Sequence, residues 1–123
     1  YDLKKKQKEI KAKQAVIDSV QTSGFPYRIG FTPDNRTAIV TNPMSNEVWL
    51  IDAQTREKKQ RIAVEAPGGG SAGPFGLIVS PKGGTAWITM NGSGHVAELD
   101  IAKGVFTRWM PTGAGPDGIG YVP

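Results

Sequence analysis

The sequence predicts an all-β protein made of repeated four-stranded units, and three observations carry that prediction. Glycine and proline account for 16 and 9 of the 123 residues and interrupt every candidate helix beyond residue 22. Residues 26–52 lie over residues 74–100 at a shift of 48 with no gap. Between the breakers run short segments rich in β-branched and aromatic residues, the composition of strands.

The agreements across the shift fall at structural positions. Pro26 meets Pro74, Pro33 meets Pro81, Thr37 and Ala38 meet Thr85 and Ala86, Thr41 meets Thr89, Val48 meets Val96 and Asp52 meets Asp100. The first strands, 27–32 and 75–80, are apolar and stop at Pro-led turns, Pro33-Asp34-Asn35-Arg36 and Pro81-Lys82-Gly83-Gly84. The second strands, 37–41 and 85–89, are β-branched and end in loops of Asn, Gly, Ser or Pro. The third strands, 47–52 and 95–100, alternate imperfectly, and the fourth, 58–64 and 105–109, are the most polar. That gradient fits a unit whose first strand is packed inside and whose fourth meets solvent. A further copy begins at Pro116, because Gly115-Pro116 to Pro123 repeats the proline spacing of Gly73-Pro74 to Pro81. Tyr1-Asp2-Leu3 reads as the tail of an earlier one, since Asp2 lies 50 residues before Asp52.

A four-stranded unit of this size cannot bury both of its faces alone, and such units stack radially into β-propellers of about 4 to 8 blades. The expectation is therefore a partial β-propeller of about two and a half four-stranded blades with a 48-residue period. Residues 1–23 would end a preceding blade and carry a lysine-rich hairpin or short helix; 24–71 and 72–113 would be blades; 114–123 would be the first strand of a following blade. Too few blades are present to close a ring, so the rest are expected from the same longer chain or from other copies. Trp49, Trp87 and Trp109 fall on strands and are expected in the core between blades.

Composition narrows the chemistry. With 38% hydrophobic and 21% charged residues the chain is of ordinary globular composition. No stretch approaches the roughly 20 apolar residues of a membrane span. The absence of cysteine excludes disulfides, thiolate metal sites and cysteine nucleophiles. The net charge of +4 is local: residues 1–13 hold six lysines against Asp2 and Glu9, whereas residues 14–123 balance. The lysine run can attract phosphate or anionic lipid, yet no aromatic interleaves it to stack on bases, so no nucleic acid partner is expected. His95 is the only histidine, and on a strand it and Glu98 point to opposite faces. No metal set, catalytic residue or cofactor is therefore expected. Gly68-Gly69-Gly70-Ser71-Ala72-Gly73 satisfies a G-x-G-x-x-G fingerprint, but Pro74 and an apolar strand follow instead of a helix, so it reads as a connection between blades.

Thr37-Ala38-Ile39-Val40-Thr41-Asn42 and Glu47-Val48-Trp49-Leu50-Ile51-Asp52, preceded by Gly24-Phe25-Pro26 and Phe31-Thr32-Pro33-Asp34, resemble the YVTN family of β-propeller repeats. Val40-Thr41-Asn42 and Ile51-Asp52 match that consensus directly, whereas Trp87-Ile88-Thr89-Met90 in the second copy loses the Asn. Ala86-Trp87-Ile88-Thr89, Phe106-Thr107-Arg108-Trp109-Met110-Pro111 and Gly115-Pro116-Asp117-Gly118-Ile119 are also similar to streptogramin (virginiamycin B) lyase propellers. The resemblance implies an extracellular, cell-surface or periplasmic protein whose blades serve as a binding or scaffold module. The alternative it implies is part of an enzyme of streptogramin lyase or lactonase type, with catalytic residues on missing blades. In a propeller, the loops from fourth to first strand and from second to third share one face. Phe25, Asn42, Met44, Phe75, Asn91 and Asp117 are the candidates there for contact with a small molecule or protein.

Overall fold

In a computed structural model that describes residues 3–21 and 27–112, those residues form one helix and eight strands. The elements are α1 (Leu3–Gln21), β1 (Arg28–Phe31), β2 (Thr37–Asn42), β3 (Glu47–Asp52), β4 (Lys58–Ala63), β5 (Pro74–Val79), β6 (Thr85–Met90), β7 (His95–Asp100) and β8 (Val105–Pro111). All eight expected strands are present, with ends displaced by a residue or two. They make two antiparallel sheets in chain order, β1-β2-β3-β4 and β5-β6-β7-β8. The candidate copy at Pro116 lies outside the described residues.

The shift of 48 holds at the level of single hydrogen bonds. The Arg28 amide donates to Thr41 Oγ1 (3.1 Å) and the Gly76 amide to Thr89 Oγ1 (2.7 Å). In the first turns, the Asn35 amide donates to the Thr32 carbonyl and the Gly83 amide to the Ser80 carbonyl. The Asp52 carboxylate caps its turn by accepting from the Gln54 and Thr55 amides, and Asp100 accepts likewise from Lys103. Each non-glycine residue with positive φ in the first sheet, Asn35, Asn46 and Arg56, corresponds to a glycine in the second, Gly83, Gly94 and Gly104. The turns thus keep one backbone shape while the residues change.

Alternation along the strands decides what each sheet faces. Ile39, Val48 and Leu50 turn from the first sheet onto Ala86, Ile88, Met90, Ala97 and Leu99 of the second, forming the core between them. Close approach requires Gly30, whose missing Cβ would stand 3.3 Å from both Leu77 Cδ1 and Val79 Cγ2. The fourth strands are the exposed ones, β4 almost throughout. Of the three tryptophans, only Trp109 packs against this core. Trp49 is buried on the opposite face of the first sheet, and Trp87 is half-buried in the second. Trp109 meets the expectation and the other two do not, because Trp49 aligns with Ala97 and Trp87 with Ile39, so strand alternation turns both rings to the outer faces of the pair of sheets.

That opposite face of the first sheet, with Ala38, Val40, Trp49, Ile51 and Ala53, receives Val16 of α1. The lysine-rich segment is therefore a helix of 19 residues and contributes no strand. A hairpin there fails for want of a turn: residues 3–21 contain no Gly, Pro or Asn. Lys, Gln and Ala favour the helix instead, and the Lys13 ammonium lies 5.2 Å from the centre of the Phe31 ring.

Candidate functional site

Register brings the candidate residues to one end of the sheets. Asn42 is paired with Glu47, Glu47 with Ala63, and Pro74 with Met90, so the turn 43–46, the connection 64–73 and the turn 91–94 share a rim. Hydrogen bonds tie these segments together. Asn46 donates its side-chain amide to the Val64 carbonyl and accepts from the Gly73 amide at 2.9 Å. The Gly73 carbonyl accepts from the Asn91 amide, and the Ala72 carbonyl from Gly92 and Ser93. Gly73 has φ +64°, and a Cβ there would lie 3.0 Å from the Gly92 nitrogen, so only glycine fits the crossing. The glycine-rich connection is a folded lobe with a Glu65–Ser71 bridge and a Gly69-to-Ala66 hydrogen bond.

Four of the six candidates fall among the described residues, and all four lie on this rim. Met44 is 82% exposed in its turn, whereas Asn42 is buried at the end of β2. The Asn42 Nδ2 is enclosed and has no hydrogen-bond acceptor among the described residues. Phe75 meets Tyr27 edge to face, with ring centres 4.6 Å apart, and its carbonyl accepts the Thr41 hydroxyl at 2.7 Å. Asn91 is half-buried. Phe25 and Asp117 lie outside the described residues.

Two rim residues escaped the sequence reading. Tyr27 is 37% exposed, and the Arg28 guanidinium sits over its ring at 4.9 Å. The available signal was the shift itself, which places Tyr27 opposite Phe75. Beside the rim, the Arg61 guanidinium 2.8 Å from Glu47, seconded by the Trp49 indole N–H, holds the Glu47 carboxyl below its ordinary value.

The opposite end holds a cleft of about 290 Å³ between the two Pro-led turns, lined by Thr32, Asp34, Thr37, Lys82, Gly83 and Ile101. The Asp34 carboxylate there accepts from the Thr32 hydroxyl and the Arg36 amide, which lower its pKa. His95 lies against Ser93 Oγ (3.0 Å) and Trp109, while Glu98 faces Arg108 at 3.8 Å. Among the described residues, no group of three or more His, Asp or Glu could hold a metal ion.

Solved structures decide what two such stacked sheets amount to. The chain is similar to hydrazine synthase of Kuenenia stuttgartiensis, with 25% identity and a TM-score of 0.68 over 76% of this chain and 25% of that one. It is similar to a 6-phosphogluconolactonase-like protein of Bacteroides uniformis, with 20% identity and a TM-score of 0.65 over 80% of this chain and 30% of that one. It is also similar to the β-propeller domain of Cps50 (Swd1) from Myceliophteria thermophila, with 18% identity and a TM-score of 0.64 over 77% and 28%. The fold is a partial β-propeller. Its two described sheets are consecutive blades, and the chain spans 25% to 30% of the length of these propeller chains. No protein-family model matches the sequence, and no curated protein does.

Proposed function

We propose that this propeller segment is a binding or scaffold module of an extracytoplasmic protein, engaging a small molecule or a protein through the rim that carries Asn42, Met44, Phe75 and Asn91. The observation that carries the reading is the Asn42 amide. A buried donor without an acceptor costs about 1–3 kcal/mol, and this one, which has none among the described residues, ends β2 beside the exposed Met44. An acceptor on a ligand or partner removes that cost. The Tyr27–Phe75 pair and the Arg28 guanidinium add an aromatic surface and a positive charge on the same rim. That combination suits an anionic, planar group. The extracytoplasmic setting rests on the YVTN resemblance.

The test uses phenylacetate, whose ring and carboxylate sample both features. Titrated into the isotopically labelled chain, it is expected to move the amide resonances of Asn42, Met44, Phe75 and Asn91 and to leave those of Thr32 and Lys82 in place. Shifts confined to the cleft at the other end would overturn the assignment.

The second reading, a segment of a lyase or lactonase, is favoured by the 6-phosphogluconolactonase-like neighbour. Turnover of a sugar δ-lactone by the protein, with no response of the rim to phenylacetate, would establish it in place of the first.

A further inference from the structure

The amino-terminal part of α1 is strongly basic. Its first turn contains three lysines and no acid, at the end of a helix where the backbone dipole is positive. Lys4 and Lys8 are four residues apart and Lys8 and Lys11 three apart, so like charges neighbour one another along the surface. The helix is held to the sheet through Val16, near its other end. Residues 3–11, about 14 Å of helix, contain no buried position among those whose side chains are described.

Two apolar residues stand among those lysines. Leu3 is 66% exposed and Ile10 55% exposed. With Ile17 they recur every seven residues, which aligns them along one side of the helix. Lys6 follows Leu3 by one turn, and Lys4 and Lys11 adjoin the two apolar residues, whereas Lys13 is turned to Phe31 of the sheet. Lysine stems can lie along an apolar boundary while their ammonium groups reach anionic headgroups. Lys58, whose ammonium stands 3.8 Å from the centre of the Trp49 ring, adds positive charge on the sheet face to which Val16 docks.

We propose that α1 is a basic interfacial anchor that holds this propeller module against an anionic lipid surface. Charge complementarity selects an anionic partner, and the Leu3–Ile10 stripe selects a lipid boundary over nucleic acid. A nucleic acid surface would call for stacking groups, and α1 has no aromatic residue and no arginine. Five lysines within residues 4–11 also match the density that binds acidic membranes. The contact is superficial and reversible, since no helix among the described residues is long and apolar enough to cross a membrane.

Co-sedimentation of the full chain with vesicles tests this. The chain is expected to bind phosphatidylcholine vesicles containing about 30 mol% phosphatidylglycerol, and not phosphatidylcholine alone. Raising salt from about 0.1 M to about 0.5 M should release it. Replacing Lys4, Lys6, Lys8 and Lys11 together by Gln keeps helix propensity and spares Val16; it should weaken binding by roughly a hundredfold or more. The double substitution Leu3→Ser and Ile10→Ser should weaken it several-fold. Circular dichroism establishes that each variant remains folded, and salt release of the unaltered chain is the readout that needs no variant. Equal binding to neutral vesicles, no binding to acidic ones, or undiminished binding by the lysine variant would each overturn the proposal. So would tighter binding to a single-stranded oligonucleotide than to acidic vesicles.

Discussion

Asn42 and Met90 occupy the same place in successive blades, at the end of the second strand, yet they meet different demands. Met90 is fully buried in the core between the sheets. Asn42 is nearly as buried and leaves its Nδ2 unmatched among the described residues. Asn42→Met should therefore raise stability by about 1 kcal/mol, measured by urea denaturation, while abolishing the rim's response to phenylacetate. A loss of stability would show that the amide serves the fold. The carboxylates permit a second prediction at this scale. Asp34, held down first by the Thr32 hydroxyl, and Asp52, held down first by the Thr55 amide, have folded-state pKa values below the ordinary 3.8. Glu47, held down first by Arg61, lies below 4.5. A depressed folded value means that the unfolded chain binds the proton more tightly. Stability from these groups is complete above their ordinary values and is lost as pH falls through the depressed ones. The urea midpoint should thus be flat from neutral pH to about 5 and decline below about 4, less steeply in Asp52→Asn and Glu47→Gln.

Among the elements, the strands were legible and the helix was only half so. Eight short runs bounded by Gly, Pro and Asn left little choice but strands, and residues such as Thr41, Thr89, Asp52 and Asp100 marked equivalent hydrogen bonds in both blades. Residues 3–21 offered helix formers and no Gly, Pro or Asn, which favours a helix over a hairpin, but nothing in them showed where that helix docks. The docking is decided by a surface outside the segment, the sheet face that buries Val16. Like-charged lysines and an unfavourable first turn leave α1 dependent on that contact, because isolated helices of this length are marginal. Val16→Asp should consequently remove most of the helical circular dichroism signal at 222 nm while the sheets persist. Retention of the signal would show that α1 is stable without docking.

At the scale of the whole molecule, stability resides in the interface between blades. Ile39, Val48 and Leu50 bury themselves only by meeting Ala86, Ile88, Met90 and Leu99. The opposite face of the first sheet buries a separate cluster against Val16 of α1, and these three residues are not part of it. Ile88→Ala should cost about 2–5 kcal/mol. The loss should appear in both sheets together, as a joint fall in hydrogen-exchange protection at β2 and β6. Loss confined to the second sheet would show that the blades fold independently. The rim follows from the same stacking, because Asn46, Gly73 and Asn91 can be tied together only once one blade lies on the next.

The sequence by itself determined the strands, their turns and the repeat, since each depends on backbone preferences and a two-residue alternation that are written locally. It also placed four described candidates on one rim, because antiparallel order fixes which strand ends coincide. Tertiary structure alone decided that the Trp49 face of the first sheet receives α1, that Tyr27 and Arg28 join Phe75, and that Asn42 lacks an acceptor among the described residues. Those outcomes depend on what surface arrives from a distant part of the chain, and a local pattern of residues carries no record of it.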